Sequence, residues 1–280
     1  MNVFLRKNRE VLLKKMTCQP GFTLIELITV IVILSILATI GTNFVVQATE
    51  SYQRTQTRAL LVNTARQAME RMTRQLRIAL PYSARIVNAG QCIEFMPIVG
   101  GGNYIDGNVA TSFADPVPDL SNGAPARNQI SVSPHTLTTD FGVAAHVTIG
   151  ALSANEIYVS PFVSRAAYNS ASTSTLLQLG TAKQWQRNSI NKRFYLLADP
   201  QAFCLEGNEL RFYENIPVTN AAVDLTSSHS IIARNVAGTS PFVLQNGSEN
   251  RNTQVTISLD FSSGGETLNY TQGVFIRNVP

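Results

Sequence analysis

Gly21-Phe22-Thr23-Leu24-Ile25-Glu26 opens a segment in which, from Leu27 to Thr49, no charged side chain appears for 23 residues. At a rise of ~1.5 Å per residue a helix over that run reaches ~34 Å, enough to cross a bilayer core of ~30 Å. Upstream, residues 1–21 hold Arg6, Lys7, Arg9, Lys14 and Lys15 against Glu10. An ordinary secretory signal is cut after its apolar region, which is then discarded. Here the small residue, Gly21, stands before the apolar region. Cleavage after Gly21 removes only a basic leader and leaves the hydrophobic helix on the mature chain.

That order resembles the prepilin signal of type IV pilins and type II secretion pseudopilins. Gly21 stands at the cut, Phe22 as the new aromatic N-terminus, and Glu26 as the fifth mature residue. The resemblance implies cleavage between Gly21 and Phe22 by a prepilin peptidase that also N-methylates Phe22. It further implies partners: other minor and major pilins, reached through the N-terminal helix, and an inner-membrane assembly platform. A carboxylate in an apolar segment costs on the order of 3 kcal/mol at a bilayer centre, so Glu26 calls for a partner. A helix-start acid favoured by the N-terminal dipole is the plainer account of Glu26. The resemblance implies instead that Glu26 meets the free amine of a neighbouring subunit. Two opposite charges offset each other's desolvation only in one axial register, so such a pair would set subunit spacing.

The formal charge of +4 belongs to the leader, whose five bases and one acid account for all of it. The mature chain keeps 17 bases and 17 acids. Seven of those bases are arginines within residues 50–85 (Arg54, Arg58, Arg66, Arg71, Arg74, Arg77, Arg85), above a mildly acidic remainder. This distribution makes no clear case for nucleic-acid binding. The basic leader sets the expectation of a single-pass protein with a cytoplasmic N-terminus and a periplasmic head. Cys18 leaves with the leader. In an oxidising periplasm the remaining pair, Cys92 and Cys204, forms either a disulfide or two buried thiols.

The expected fold class is α+β, a long N-terminal transmembrane and stem helix packed on a β-rich antiparallel head. From Ser51 to Leu80 there is no Gly or Pro, and Leu61, Ala65, Ala68, Met69, Met72, Leu76 and Leu80 recur at spacings of three and four. The spacing predicts one helix from about Thr23 to Leu80, ended by Pro81. Residues 22–49 form its membrane half and 50–80 its amphipathic stem. Gly41-Thr42-Asn43, weak helix formers, leave room for local melting. Residues 81–280 read as strands and turns. Runs at 193–197, 202–205 and 209–213 suggest a meander broken by Asp199-Pro200 and Gly207-Asn208. Residues 255–261 alternate strictly, and after Ser262-Ser263-Gly264-Gly265 two further runs, 267–270 and 274–277, complete a C-terminal sheet. Residues 97–129, with Gly100-Gly101-Gly102 and several Pro and Asn-Gly signals, read as a loop insertion.

Chemistry-bearing patterns are sparse. His135, His146 and His229 lack Cys, Asp or Glu at metal-ligand spacing. Asp106, Asp115 and Asp119 offer oxygen ligands for calcium, but at irregular spacing. The glycine triplet lacks the Lys-Ser or Lys-Thr of a phosphate cradle, and no nucleophile motif occurs in the head. Two Asn-x-Ser/Thr matches, at Asn246 and Asn269, occur often by chance. No catalytic residue, metal or cofactor is expected. The size of the head, Met72 to Arg77 at the stem end and Phe275 to Pro280 at the terminus resemble the larger minor pilins, related to the J pseudopilin and the W minor pilin. Two alternatives stay open: a J-type secretion pseudopilin, and an adhesive or ligand-binding tip module using residues 97–129.

Overall fold

The computed structural model describes residues 21–105, 117–121, 123–218, 221–247 and 251–277. The chain divides into two units, 1–53 and 54–280. Helix α1, Leu24–Arg77, supplies all the described regular structure of the first and opens the second. In the first unit its side chains are exposed throughout, including Leu34, Leu37, Ile40 and Phe44. The helix runs on through Gly41-Thr42-Asn43 without a break. Its hydroxyls bond within the helix: Thr29 to the Glu26 carbonyl, Ser35 to Val32, Thr39 to Ile36 and Thr42 to Ala38, at 2.8–2.9 Å. Such back-bonding gives each of these hydroxyls a partner within the helix, which a helix crossing a membrane would require.

In the second unit α1 shows the expected stripe. Leu61, Ala65, Ala68, Met69, Met72 and Leu76 are buried. The helix ends at Arg77 rather than Leu80, because the chain peels off to join a strand. The Ile98 amide donates to the Ile78 carbonyl, the Leu80 amide donates to Met96, and Ala79 bridges Pro97. Arg74 and Arg77 in the last turn complement the negative end of the helix dipole.

The strands follow in chain order: β1 (Arg85–Val87), β2 (Cys92–Phe95), β3 (Ile98–Asn103), β4 (Arg127–Ser131), β5 (His146–Thr148), then the short helix α2 (Asn155–Tyr158), β6 (Arg165–Ala167), β7 (Leu176–Lys183) and β8 (Arg193–Leu197). After them come β9 (Gln201–Glu206), β10 (Glu209–Tyr213), β11 (His229–Arg234), β12 (Val236–Ala237), β13 (Phe242–Gln245), β14 (Thr253–Ser263) and β15 (Glu266–Ile276). Every pairing between these strands is antiparallel. One sheet has the order β1-β2-β9-β10-β11. A second centres on β14, with β12 and β13 on one side and β15 on the other. The α1 stripe packs with Ile93, Phe203 and Phe212 of the first sheet and with Ile257, Phe261 and Val274 of the second in one core. A separate lobe holds β3-β8-β5-β6 and the β4-β7 pair around Trp185, Tyr104, Phe194 and Leu196.

Several expectations are corrected here. The run 193–197 is a strand, but β8 pairs with β3 and β5 in the lobe, and only β9 and β10 form the expected hairpin. The break at Asp199-Pro200 is where the chain crosses from one sheet to the other. The two C-terminal runs are one strand, β15. The 97–129 segment opens with β3 and closes into β4, while residues 106–116 and 122 lie outside the described residues. Its glycine triplet is strand, not loop. A Cβ at Gly100 would meet the Leu137 side chain at 2.9 Å, and one at Gly101 the Phe194 carbonyl at 3.0 Å. Close approach of neighbouring chain, rather than turn freedom, accounts for glycine there.

Candidate functional site

At the start of α1 the Thr23 side chain caps the helix. The Glu26 amide donates to Thr23 Oγ1 at 3.4 Å, and the Glu26 carboxylate reaches back to accept from the Thr23 amide at 3.2 Å and its hydroxyl at 3.1 Å. This is a capping box, Thr-x-x-Glu, in which each residue satisfies a group the first helical turn leaves open. The pattern is written in the sequence as Thr-x-x-Glu, and it gives Glu26 a partner within its own chain besides the dipole and the neighbouring subunit's amine expected for it. Phe22 is 76% exposed beside it. A Cβ on Gly21 would meet nothing within 4 Å, so packing offers no reason for glycine at that position. The leader, with Cys18, lies outside the described residues.

Helix α1 is also the one described helix long and apolar enough to cross a membrane. The prokaryotic N-terminal methylation motif matches residues 16–42, spanning Gly21, Phe22, Glu26 and most of the apolar run. This supports a type IV pilin-like protein. No curated protein and no solved structure matches the chain. The pilin-like architecture rests on the fold itself: a long N-terminal apolar helix packed on an antiparallel β-rich head. The motif and the helix fit a membrane-anchored subunit, processed by a prepilin peptidase and assembled with other pilins in a structural role.

In the pilin-like head, Cys92 and Cys204 are bonded, with an S–S distance of 2.08 Å. They face each other across β2 and β9, in register with Ile93 opposite Phe203. Ile93 and Phe203 turn towards α1, so the alternation of a strand puts the disulfide on the other face, among Ala202, Tyr213, Ile216 and Val223. The bridge therefore joins two strands of one sheet and does not staple stem to sheet.

The head's histidines are placed apart. His135 stacks edge-on against Phe194, and His229 lies on Tyr213 with its Nδ1 3.0 Å from the Ser227 carbonyl. His146 stands between Asp199, 2.9 Å from Nε2, and the Arg165 guanidinium, 2.8 Å from Nδ1. Arginine only donates, so Nδ1 accepts and Nε2 carries the proton given to Asp199. Of the three candidate calcium ligands, Asp106 and Asp115 lie outside the described residues. Asp119 is buried and spends its oxygens on Ser121 (2.9 and 2.5 Å) and Asn188 (2.8 Å). Among the described residues no group of three or more His, Cys, Asp or Glu gathers as metal ligands do. The Asn246 match loses its third residue to the undescribed part, and Asn269 donates to Asp260 across the β14–β15 pair.

Two ion pairs, one with a buried carboxylate and one half-buried, were not legible in the sequence. Arg85 on β1 bonds Glu94 on β2 at 2.8–2.9 Å and covers the Tyr158 ring. Burial pushes the Glu94 carboxyl up from its ordinary value, against the opposing pull of Arg85. Glu156 takes a two-pronged contact from Arg187, at 2.8 and 3.0 Å, together with the Ser164 hydroxyl and the Leu152 amide. Burial raises the Glu156 carboxyl, and these hydrogen bonds outweigh it, so the net shift is downward.

Proposed function

We propose that this chain is a minor pilin of a type IV pilus of the mannose-sensitive haemagglutinin kind, similar to the biogenesis subunit MshO, and that it primes or caps filament assembly. It is cut after Gly21, N-methylated on Phe22, and held in the inner membrane with its N-terminus cytoplasmic and its head periplasmic. Neighbouring subunits then meet it through the N-terminal helix, with Glu26 setting register against a partner's terminal amine. The observation that carries this reading is order along the chain: basic leader, Gly21, Phe22, then Glu26 at the start of a helix whose apolar side chains in the first unit are all exposed. Exposed apolar surface of that extent calls for lipid or other helices around it. The stem end at Met72 to Arg77 and the terminus at Phe275 to Pro280 favour the minor-pilin branch.

Processing is the test. Intact-mass and N-terminal sequencing of the protein from a host with its prepilin peptidase are expected to give a methylated Phe22 as first residue. Gly21→Val is expected to leave the leader attached. A mature chain starting anywhere else overturns the proposal.

A further inference from the structure

The edge of β15 is open. Its eleven residues pair in unbroken register with β14, and among the described residues it pairs with no other strand. The turn before it, Gly264-Gly265, has φ values of 56° and 81°, as a two-residue type I′ hairpin requires. In that hairpin the flanking residues, Ser263 and Glu266, exchange both backbone bonds, and bonded pairs then recur at every second residue. Even-numbered residues of β15 thus turn their backbone groups to β14. Thr267, Asn269, Thr271, Gly273 and Phe275 turn theirs outward. Natural edges are usually blunted by lysine, proline, a bulge or brevity. None of these occurs in β15.

What lies beside this edge indicates what fits it. A groove of about 680 Å³ lies between β15 and α1, lined by Arg66, Arg74, Arg77 and Glu70 of the helix and by Tyr270 of the strand. Three cations against one anion make it basic. None of the three arginines has an ion pair among the described residues. Thr73 also lines the groove; it is 7% exposed, and its hydroxyl has no hydrogen-bond partner among the described residues. Phe275 adds 59% exposed aromatic surface on the opposite face of the strand.

We propose that the β15 edge accepts an added strand from a partner protein whose alternate residues are acidic. The backbone groups of the guest would extend the sheet, and every second side chain would fall over the helix arginines. A second copy of this chain fits poorly. Pairing two β15 edges around a twofold axis sets both helices on the same side of the joined sheet, arginines towards arginines, with Glu266 the only acid each strand offers. The inference stands whether or not the chain belongs to a pilus.

The full-length mature protein in detergent is titrated with a labelled peptide of about ten residues alternating Glu with Val, and with its Lys-Val counterpart. The Glu peptide is expected to bind at least about tenfold more tightly than the Lys peptide and to slow amide exchange across 266–276. Thr271→Pro removes an outward amide and spares the backbone ladder to β14, losing there only the exposed Ser258–Thr271 hydroxyl contact, so melting should nearly hold while affinity falls about tenfold or more. Arg74→Glu with Arg77→Glu should reverse the peptide preference. The proposal is overturned by no binding of the Glu peptide at ~1 mM, by equal binding of both peptides, by binding that survives Thr271→Pro, or by self-association through this edge in place of peptide binding.

Discussion

Replacing both Cys92 and Cys204 with alanine removes the bridge without leaving a buried hydroxyl or thiol. The two cysteines are 112 residues apart in sequence. Closing a loop of that length restrains the unfolded chain by ~4.8 kcal/mol in the chain-entropy account. A unit the size of residues 54–280 unfolds with an entropy of roughly 0.5 kcal/mol/K, so the midpoint should fall by about 10 °C. The structure also says where the loosening should appear. Everything in the second lobe, from β3 to β8 with its own core, lies between the two cysteines and enters and leaves through adjacent strands. The bridge pins the base of that lobe. Thermal melts of full-length protein exported to the periplasm and held in detergent should show the shift, and limited proteolysis should cut first within 97–129. A midpoint within about 3 °C of the parent refutes the loop-entropy argument. Two alkylatable thiols in the folded parent, by non-reducing mass spectrometry, refute the bond itself.

Glu156→Gln should destabilise the head by about 1–3 kcal/mol at neutral pH, through loss of charge-assisted bonds from Arg187. Because the folded carboxyl titrates below its unfolded value, its contribution is present above the unfolded value of 4.5 and lost as pH falls through the folded one. Melts of parent and variant should therefore converge in acid, and a gap that is unchanged at low pH counts against the pair. Glu26→Ala is expected to insert and be processed normally but to lower pilus number sharply, with Glu26→Gln nearly as damaging. Normal pilus counts by electron microscopy in a strain carrying only Glu26→Ala would remove the assembly role.

What the sequence disclosed follows the range of each signal. The buried stripe of α1 and the β14–β15 hairpin were legible because their periods, near four and two, are written in consecutive residues. Gly207 likewise announced the β9–β10 turn, with φ of 57°. The neighbouring of β2 and β9 was signalled only by the pair Cys92 and Cys204, since a lobe of about a hundred residues intervenes and no local pattern records which strands meet across it. For the same reason Arg193–Leu197 was recognisable as a strand but was assigned to the wrong sheet. The glycine triplet misled because a local reading sees only turn freedom, whereas the demand for small residues comes from Leu137 and Phe194, far along the chain.

Glu26 joins the two kinds of signal. Its capping partner, Thr23, is local, and cleavage after Gly21 leaves that partner in place, since both lie on the mature side of the cut. A lone protomer therefore has use for the carboxylate within its own first turn. The contacts are long, 3.1 and 3.2 Å, and come from neutral donors, which are weaker partners than a cation. In the proposed filament, a neighbour's terminal amine surrounded by apolar helix would compete for the same oxygen with the advantage of full charge in a dry setting. Thr23→Ala should separate the two uses: it removes the hydroxyl's part of the cap, at about 1 kcal/mol to the helix start, and leaves the carboxylate, with only the residue-23 amide as local donor, available to the amine. Helix content near the N-terminus should fall while pilus assembly persists. A Thr23→Ala strain as bald as Glu26→Ala would mean that the cap, and not the charge, is what assembly requires of Glu26.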